Sequence, residues 1–163
     1  MQKIIVVDTN VLIGALIGKK YSANRTLIES CLLKRFIPLI NNSLFLEYED
    51  VFARPEIIIQ SPYSKTESEE LFYAFLAICQ WTKIYYSWRP NLRDEKDNYL
   101  VELAIAGNAD FIVTNNIKDF QHRDCISRGK HADTRMSFVG IPRGQNSELK
   151  FPQIKAVSPK EII

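Results

Sequence analysis

Asp8 directly follows the apolar run Ile4-Ile5-Val6-Val7, and Thr114-Asn115-Asn116 directly follow Phe111-Ile112-Val113. Asn41-Asn42-Ser43 follow another apolar run and lead, one turn into the next helix, to Glu47. Arg93-Asp94-Glu95-Lys96-Asp97 stand after a further run and open the next helical pattern. In open α/β sheets, ligands bind beyond the carboxyl ends of the strands. Four strand ends therefore present acidic or amide side chains toward one edge. Carboxylates gathered in this way repel one another, and burial raises their pKa values. A bound cation removes the conflict. Mg2+ or Mn2+ accepts oxygen ligands and keeps waters; such an ion polarises a phosphodiester and activates an attacking water. The chemistry is that of a metal-dependent nuclease. Each residue alone has a plainer role. Asp8 and Asp97 are helix-capping types, and Glu47 shares its helix with Glu49 and Asp50. Asp94 adjoins Arg93, while Asn116 and Asp119 suit a turn. Their joint placement favours a site.

The elements that position these residues alternate. The β-branched run at 4–7 reads as a strand covered on both faces. Residues 22–34 read as a helix, 36–40 as a strand made edge-like or irregular by Pro38, and 44–53 as a helix ended by Arg54-Pro55. Ser64-Lys65-Thr66-Glu67 is a capping-box pattern before a helix to about residue 80. Residues 82–86 read as a third strand, 96–107 as a helix with Gly107 near its end, and 111–113 and 154–157 as the last strands. Strands separated by helices predict a three-layer α/β/α sandwich around a parallel sheet of about five strands. Residues 121–150 lack periodicity and form an irregular insertion within a single domain spanning 1–163.

Composition is that of an ordinary globular protein: 163 residues, 46% hydrophobic, 25% charged, with three widely spaced cysteines and no CxxC pair. This excludes a disulfide-stapled miniprotein, a zinc ribbon and a redox dithiol. No apolar stretch approaches the length of a membrane span and the N-terminus lacks a signal-peptide pattern, so no membrane and a cytoplasmic location are expected. The formal net charge of +2 divides into −2 for residues 1–110 and +4 for 111–163. Arg123, Arg128, Lys130 and Arg135 carry much of the excess and are candidates for holding an RNA backbone, or else form a solvated loop. Trp81, Tyr85, Tyr86 and Trp88 are expected to pack a sheet–helix interface, with base stacking as the alternative.

Strand–Asp8-Thr9-Asn10-Val11-Leu12, Glu47 in a helix, Asp94-x-x-Asp97-Asn98 and Ala109-Asp110-Phe111-Ile112-Val113-Thr114-Asn115-Asn116 together resemble the PIN-domain ribonucleases. The nearest subgroup is the virulence-associated protein C type, the toxins of bacterial toxin–antitoxin systems. The tail Ile154-Lys155-Ala156-Val157-Ser158-Pro159-Lys160-Glu161 is similar to that subgroup's last strand and helix start. The resemblance implies cleavage of single-stranded RNA with Mg2+ or Mn2+. It implies Asp8, Glu47 and Asp97 as metal ligands, Asp94 as an auxiliary acid, and Thr9, Asn10 and Thr114 as hydrogen-bonding supports. It also implies an antitoxin partner and a homodimer, with residues 56–80 near the partner groove. One departure stands out: many members have an aspartate where this chain has Asn116. With Asp119 one helical turn later, the acids present imply one firmly bound ion and a second that arrives with the substrate phosphate. The alternative function is a catalytically weakened RNA- or protein-binding module of the same fold. No histidine lies in the motif; His122 and His131 fall in the insertion.

Overall fold

The structure, a computed structural model, describes residues 2–85, 98–117 and 155–163. The chain runs β1 (Lys3–Val7), α1 (Thr9–Ile17), α2 (Ala23–Leu32), β2 (Phe36–Ile40), α3 (Asn42–Phe52), α4 (Pro55–Gln60), α5 (Lys65–Ile78), β3 (Gln80–Trp81), α6 (Asn98–Ala106), β4 (Phe111–Val113), β5 (Lys155–Val157) and α7 (Pro159–Ile162). The five strands form one parallel sheet in the order β3-β2-β1-β4-β5. The architecture is the expected α/β/α sandwich around a central parallel sheet.

Ile5, Val6 and Val7 in β1 are fully buried, which explains an apolar run with no polar alternation. Helix α6 packs against β1, β2 and β4, and α2 packs against β2. Beneath α3, the Tyr48 hydroxyl donates to the Val7 carbonyl, while the Phe52 and Phe72 rings stack at 4.2 Å and join α3 to α5. The capping box at Ser64 is present, with the Glu67 carboxylate accepting from the Ser64 amide. Burial of Cys31 pushes its thiol up to about 12, so it packs as a small apolar group.

One local expectation is corrected, the bounds of the third strand, and three are made specific. Pro38 lies in a strand with neighbours on both sides, but β3 begins only opposite Leu39. The stretch of β2 holding Pro38 therefore has β1 alone beside it, where a missing amide is tolerated. The third strand is Gln80–Trp81 rather than 82–86. Its partner β2 stops at Ile40, so after the Thr82 amide bonds to the Ile40 carbonyl nothing remains to pair with. Pro55 ends one helix and opens another, α4, from its first helical position, where its absent N–H costs nothing. At the end of α6 the left-handed residue is Asn108 (φ 50°), not Gly107. Gly107 serves a close approach, since a Cβ there meets Leu39 Cδ1 at 2.2 Å.

Candidate active site

The strand order reverses direction between β1 and β4, because β1 is followed by β2 on one side and has β4 on the other. Crevices at such a switch point bind ligands. Asp8 and Thr114 are the first residues past these two strands. The Asp8 amide donates to the Val113 carbonyl at 2.9 Å, which extends the β1–β4 pairing one residue beyond the strands and places the two side chains together.

Asp8 occupies the N-cap position of α1, yet its carboxylate makes no capping hydrogen bond. Its Oδ2 accepts instead from the Thr114 hydroxyl at 2.6 Å and from Asn10 Nδ2 at 2.7 Å. The Thr114 hydroxyl also accepts from Asn10 Nδ2 (3.1 Å) and from the Asn116 amide (3.0 Å). One donor and two acceptor positions are then all used, the full capacity of a hydroxyl. Asn10 Oδ1 accepts from the Asn115 amide at 3.0 Å, and Asn115 Nδ2 donates back to the Asn10 carbonyl at 3.2 Å. Thr114 is completely buried and Asp8 is 8% exposed. The lattice fixes Oδ2 and leaves Oδ1 without a side-chain donor among the described residues.

Burial pushes the Asp8 carboxyl above its usual range, and the charge of Glu47 pushes it in the same direction. The Thr114 hydrogen bond opposes both. Replacing Thr114 with valine keeps the shape and removes the donor. The variant is expected to lose about 1–3 kcal/mol of stability in thermal unfolding, because buried polar partners are orphaned. With the lowering influence gone, the Asp8 carboxyl rises further. Any activity that needs the carboxylate ionised falls off at higher pH in the variant, read as a shifted acid limb of the pH–rate profile.

Glu47 is half-buried on α3 and accepts a hydrogen bond from the Tyr99 hydroxyl of α6. Burial and the Glu47 carboxylate push the Tyr99 hydroxyl far above its usual range, so it stays protonated and donates. Among the described residues, the Thr9 hydroxyl and Asn98 Oδ1, like the Tyr63 hydroxyl elsewhere, are buried oxygens without a hydrogen-bond partner. Buried polar atoms are ordinarily paired, and an orphaned one marks a place for a water, ion or ligand. The donors are all oxygens, which fits Mg2+ or Mn2+ and not a soft metal. Among the described residues no group of three or more acidic, histidine or cysteine side chains converges; Asp8 and Glu47 are a pair.

Of the residues expected from the sequence, the structure brings together Asp8, Asn10, Thr114 and the Asn116 backbone, with Glu47 acting on Asp8 through its charge. Thr9 is buried beside them. The Asn116 residue is exposed. Asp94, Asp97, Asp119, Arg123, Arg128, Lys130, Arg135 and the 121–150 segment lie outside the described residues. Tyr99 joins the site without a mark in the sequence pattern, and Asn115, present there only as part of the strand-end triplet, binds Asn10. Tyr99 reads as one more apolar position of α6, and only its polar tip hints otherwise. Trp81 and Tyr85 depart from the interface-packing expectation, being 57% and 80% exposed.

A family model for the PIN domain matches residues 4–118. No curated protein matches significantly. One solved structure is the crystal structure of VapBC2 from Rickettsia felis bound to a DNA fragment from their promoter. The matching chain is 23% identical over 71% of this chain and 89% of its own, with a TM-score of 0.47. With the family model spanning well over half of its length, the chain belongs to the PIN-domain family.

Proposed function

We propose that the protein is an Mg2+- or Mn2+-dependent endoribonuclease that cleaves single-stranded RNA. The observation that carries this reading is the Asp8 carboxylate at the β1–β4 switch point, with one oxygen fixed by Asn10 and Thr114, the other without a side-chain donor among the described residues, and the charge of Glu47 acting on it. Two carboxylates in a buried crevice are costly unless a cation joins them.

When bound, a divalent ion lowers the pKa of a water and neutralises charge on the scissile phosphate. Asp8 and Glu47 would hold it from this chain's described residues, with Asp97 as the third ligand and Asp94 as an auxiliary acid. Thr114 and Asn10 keep the Asp8 carboxylate in one orientation, the role that outer partners play at metal sites. Tyr99 does the same for Glu47. Hydrolysis would proceed by in-line attack of water on phosphorus, breaking the bond to the leaving ribose oxygen, which takes up a proton from water. Arg123, Arg128, Lys130 and Arg135 hold the backbone of the strand, and binding weakens with salt.

The expected result with labelled single-stranded RNA is cleavage in Mg2+ or Mn2+ and none in EDTA. Persistence of cleavage in EDTA contradicts the metal reading. The biological role we assign is toxin of a bacterial toxin–antitoxin pair, acting in the cytoplasm as a homodimer and silenced by an antitoxin protein. Expression alone then arrests bacterial growth, and co-expression of the neighbouring small reading frame relieves it. Asn116, an amide where the family resemblance leads one to expect an acid, favours a second reading, a weakened RNA- or protein-binding module. Such a module binds RNA without any metal-dependent cleavage.

A further inference from the structure

The register of the sheet extends past the strand ends. Val6 pairs with Leu39 and Ile40 with Trp81, so Asp8, Asn41 and Thr82 fall side by side on three adjacent strands. Two strand spacings, about 10 Å, separate Asp8 from Thr82. Beyond Thr82, on the same edge of the sheet as Asp8, lies a cavity of about 580 Å3. Its walls include Asn42 and Ser43 in the first turn of α3, Trp81 at the end of β3, and Lys83, Ile84 and Tyr85 beyond it. Among the described residues, no acidic side chain lines it. Asn41 spends its side chain on the Leu44 amide at 2.8 Å, which leaves the earlier amides of Asn42 and Ser43 as the positive end of the helix.

Two large aromatic side chains stand in water at this cavity, Trp81 at 57% and Tyr85 at 80% exposure. Trp81 is steadied by Phe45, whose ring centroid is 5.6 Å away. Exposed aromatics beside a lysine and helix amides are the components with which proteins grip a single strand: π-faces for bases and positive charge for phosphates. A purely apolar partner helix would leave Lys83 and the α3 amides without partners, whereas a nucleotide satisfies both kinds of group.

We propose that this cavity is a base-stacking subsite for the single-stranded RNA whose scissile phosphate sits at Asp8. A base stacks on Trp81 and a second on Tyr85, while Lys83 and the start of α3 face the intervening phosphate. The proposal rests on the ribonuclease reading and adds where the neighbouring nucleotides lie.

The test uses the full chain carrying Asp8→Asn, so that RNA is bound and not cut, with a short fluorescein-labelled oligoadenylate read by anisotropy. Trp81→Ala and Tyr85→Ala are each expected to raise Kd about tenfold, while Trp81→Phe stays within about twofold of the parent. Lys83→Gln is expected to reduce the slope of log K against log salt by roughly 0.7. Tyr85, the more exposed side chain, guards against a folding artefact at Trp81. Unchanged RNA affinity in both alanine variants, with metal-dependent cleavage intact in the chain that keeps Asp8, overturns the subsite and leaves the ribonuclease standing. A protein partner that loses affinity for Trp81→Ala while RNA does not also overturns it. A parent chain that neither binds nor cuts RNA removes the ribonuclease reading itself.

Discussion

Asp8→Asn is expected to reduce metal-dependent RNA cleavage by roughly a hundredfold or more while the fold stays intact. A metal-assisted site supplies several kcal/mol to the transition state, and each 1.4 kcal/mol is about tenfold in rate. Asparagine retains an oxygen that accepts from Thr114 and Asn10, so the lattice around residue 8 persists. It lacks the charge that a cation requires. Stability in EDTA provides a second readout with a definite sign. The Asp8 carboxyl titrates above its unfolded value of 3.8 because burial disfavours the charged form. Below 3.8 both states are protonated and the carboxyl costs the fold nothing. As pH rises through the folded-state value, the native carboxylate loses stability relative to the unfolded chain. The Asn variant, carrying no such charge, therefore gains on the parent in thermal unfolding as pH increases from about 4 to neutrality. Saturating Mn2+ reverses the order by stabilising the parent alone. An Asn variant that cleaves RNA like the parent sinks the assignment.

Glu47→Gln is the second large effect. The amide oxygen still accepts from the Tyr99 hydroxyl, so α3 and α6 remain joined, but a ligand charge is lost. Cleavage is expected to drop by about ten- to a hundredfold at fixed Mg2+, with part of the loss recovered at higher metal concentration. Removing the Glu47 charge also removes one of the influences that raise the Asp8 carboxyl. In metal-free protein the Asp8 titration thus moves down, the direction opposite to that expected for Thr114→Val. Measured side-chain carboxyl shifts that move the same way in both variants contradict this electrostatic account. A variant with full activity and unchanged metal dependence removes Glu47 from the site.

The parts of the site legible in the sequence are those tied to strand ends. A strand buried on both faces cannot alternate, so Ile4-Ile5-Val6-Val7 and Phe111-Ile112-Val113 show as unbroken apolar runs, and the first polar residue after each marks the sheet's carboxyl edge. Asp8 and Thr114 follow directly. Parallel connectivity brings those two edges together, since helices between strands demand crossovers of one hand. What periodicity does not carry is pairing between distant side chains. Glu47 and Tyr99 meet across 52 residues through two helix faces, and a tyrosine within an apolar helical pattern reads as core. The third strand departs from its expected bounds for a related reason. Its length is set by where β2 stops, not by its own residues, and the β-favouring Ile84 and Tyr85 continue the pattern past the last available partner. The exposure of Trp81 and Tyr85, unpredictable from residue type, leaves two aromatic side chains at the cavity.

The central claim is that the switch-point crevice holds a divalent cation through Asp8. Isothermal titration of Mn2+ into metal-free protein, run side by side with Asp8→Asn and without RNA, measures it directly. The expected parent isotherm shows one site, with a second ion entering only when RNA supplies its phosphate, and the variant shows none. Equal Mn2+ binding by the parent and Asp8→Asn, or two equal sites in the parent without RNA, contradicts the account.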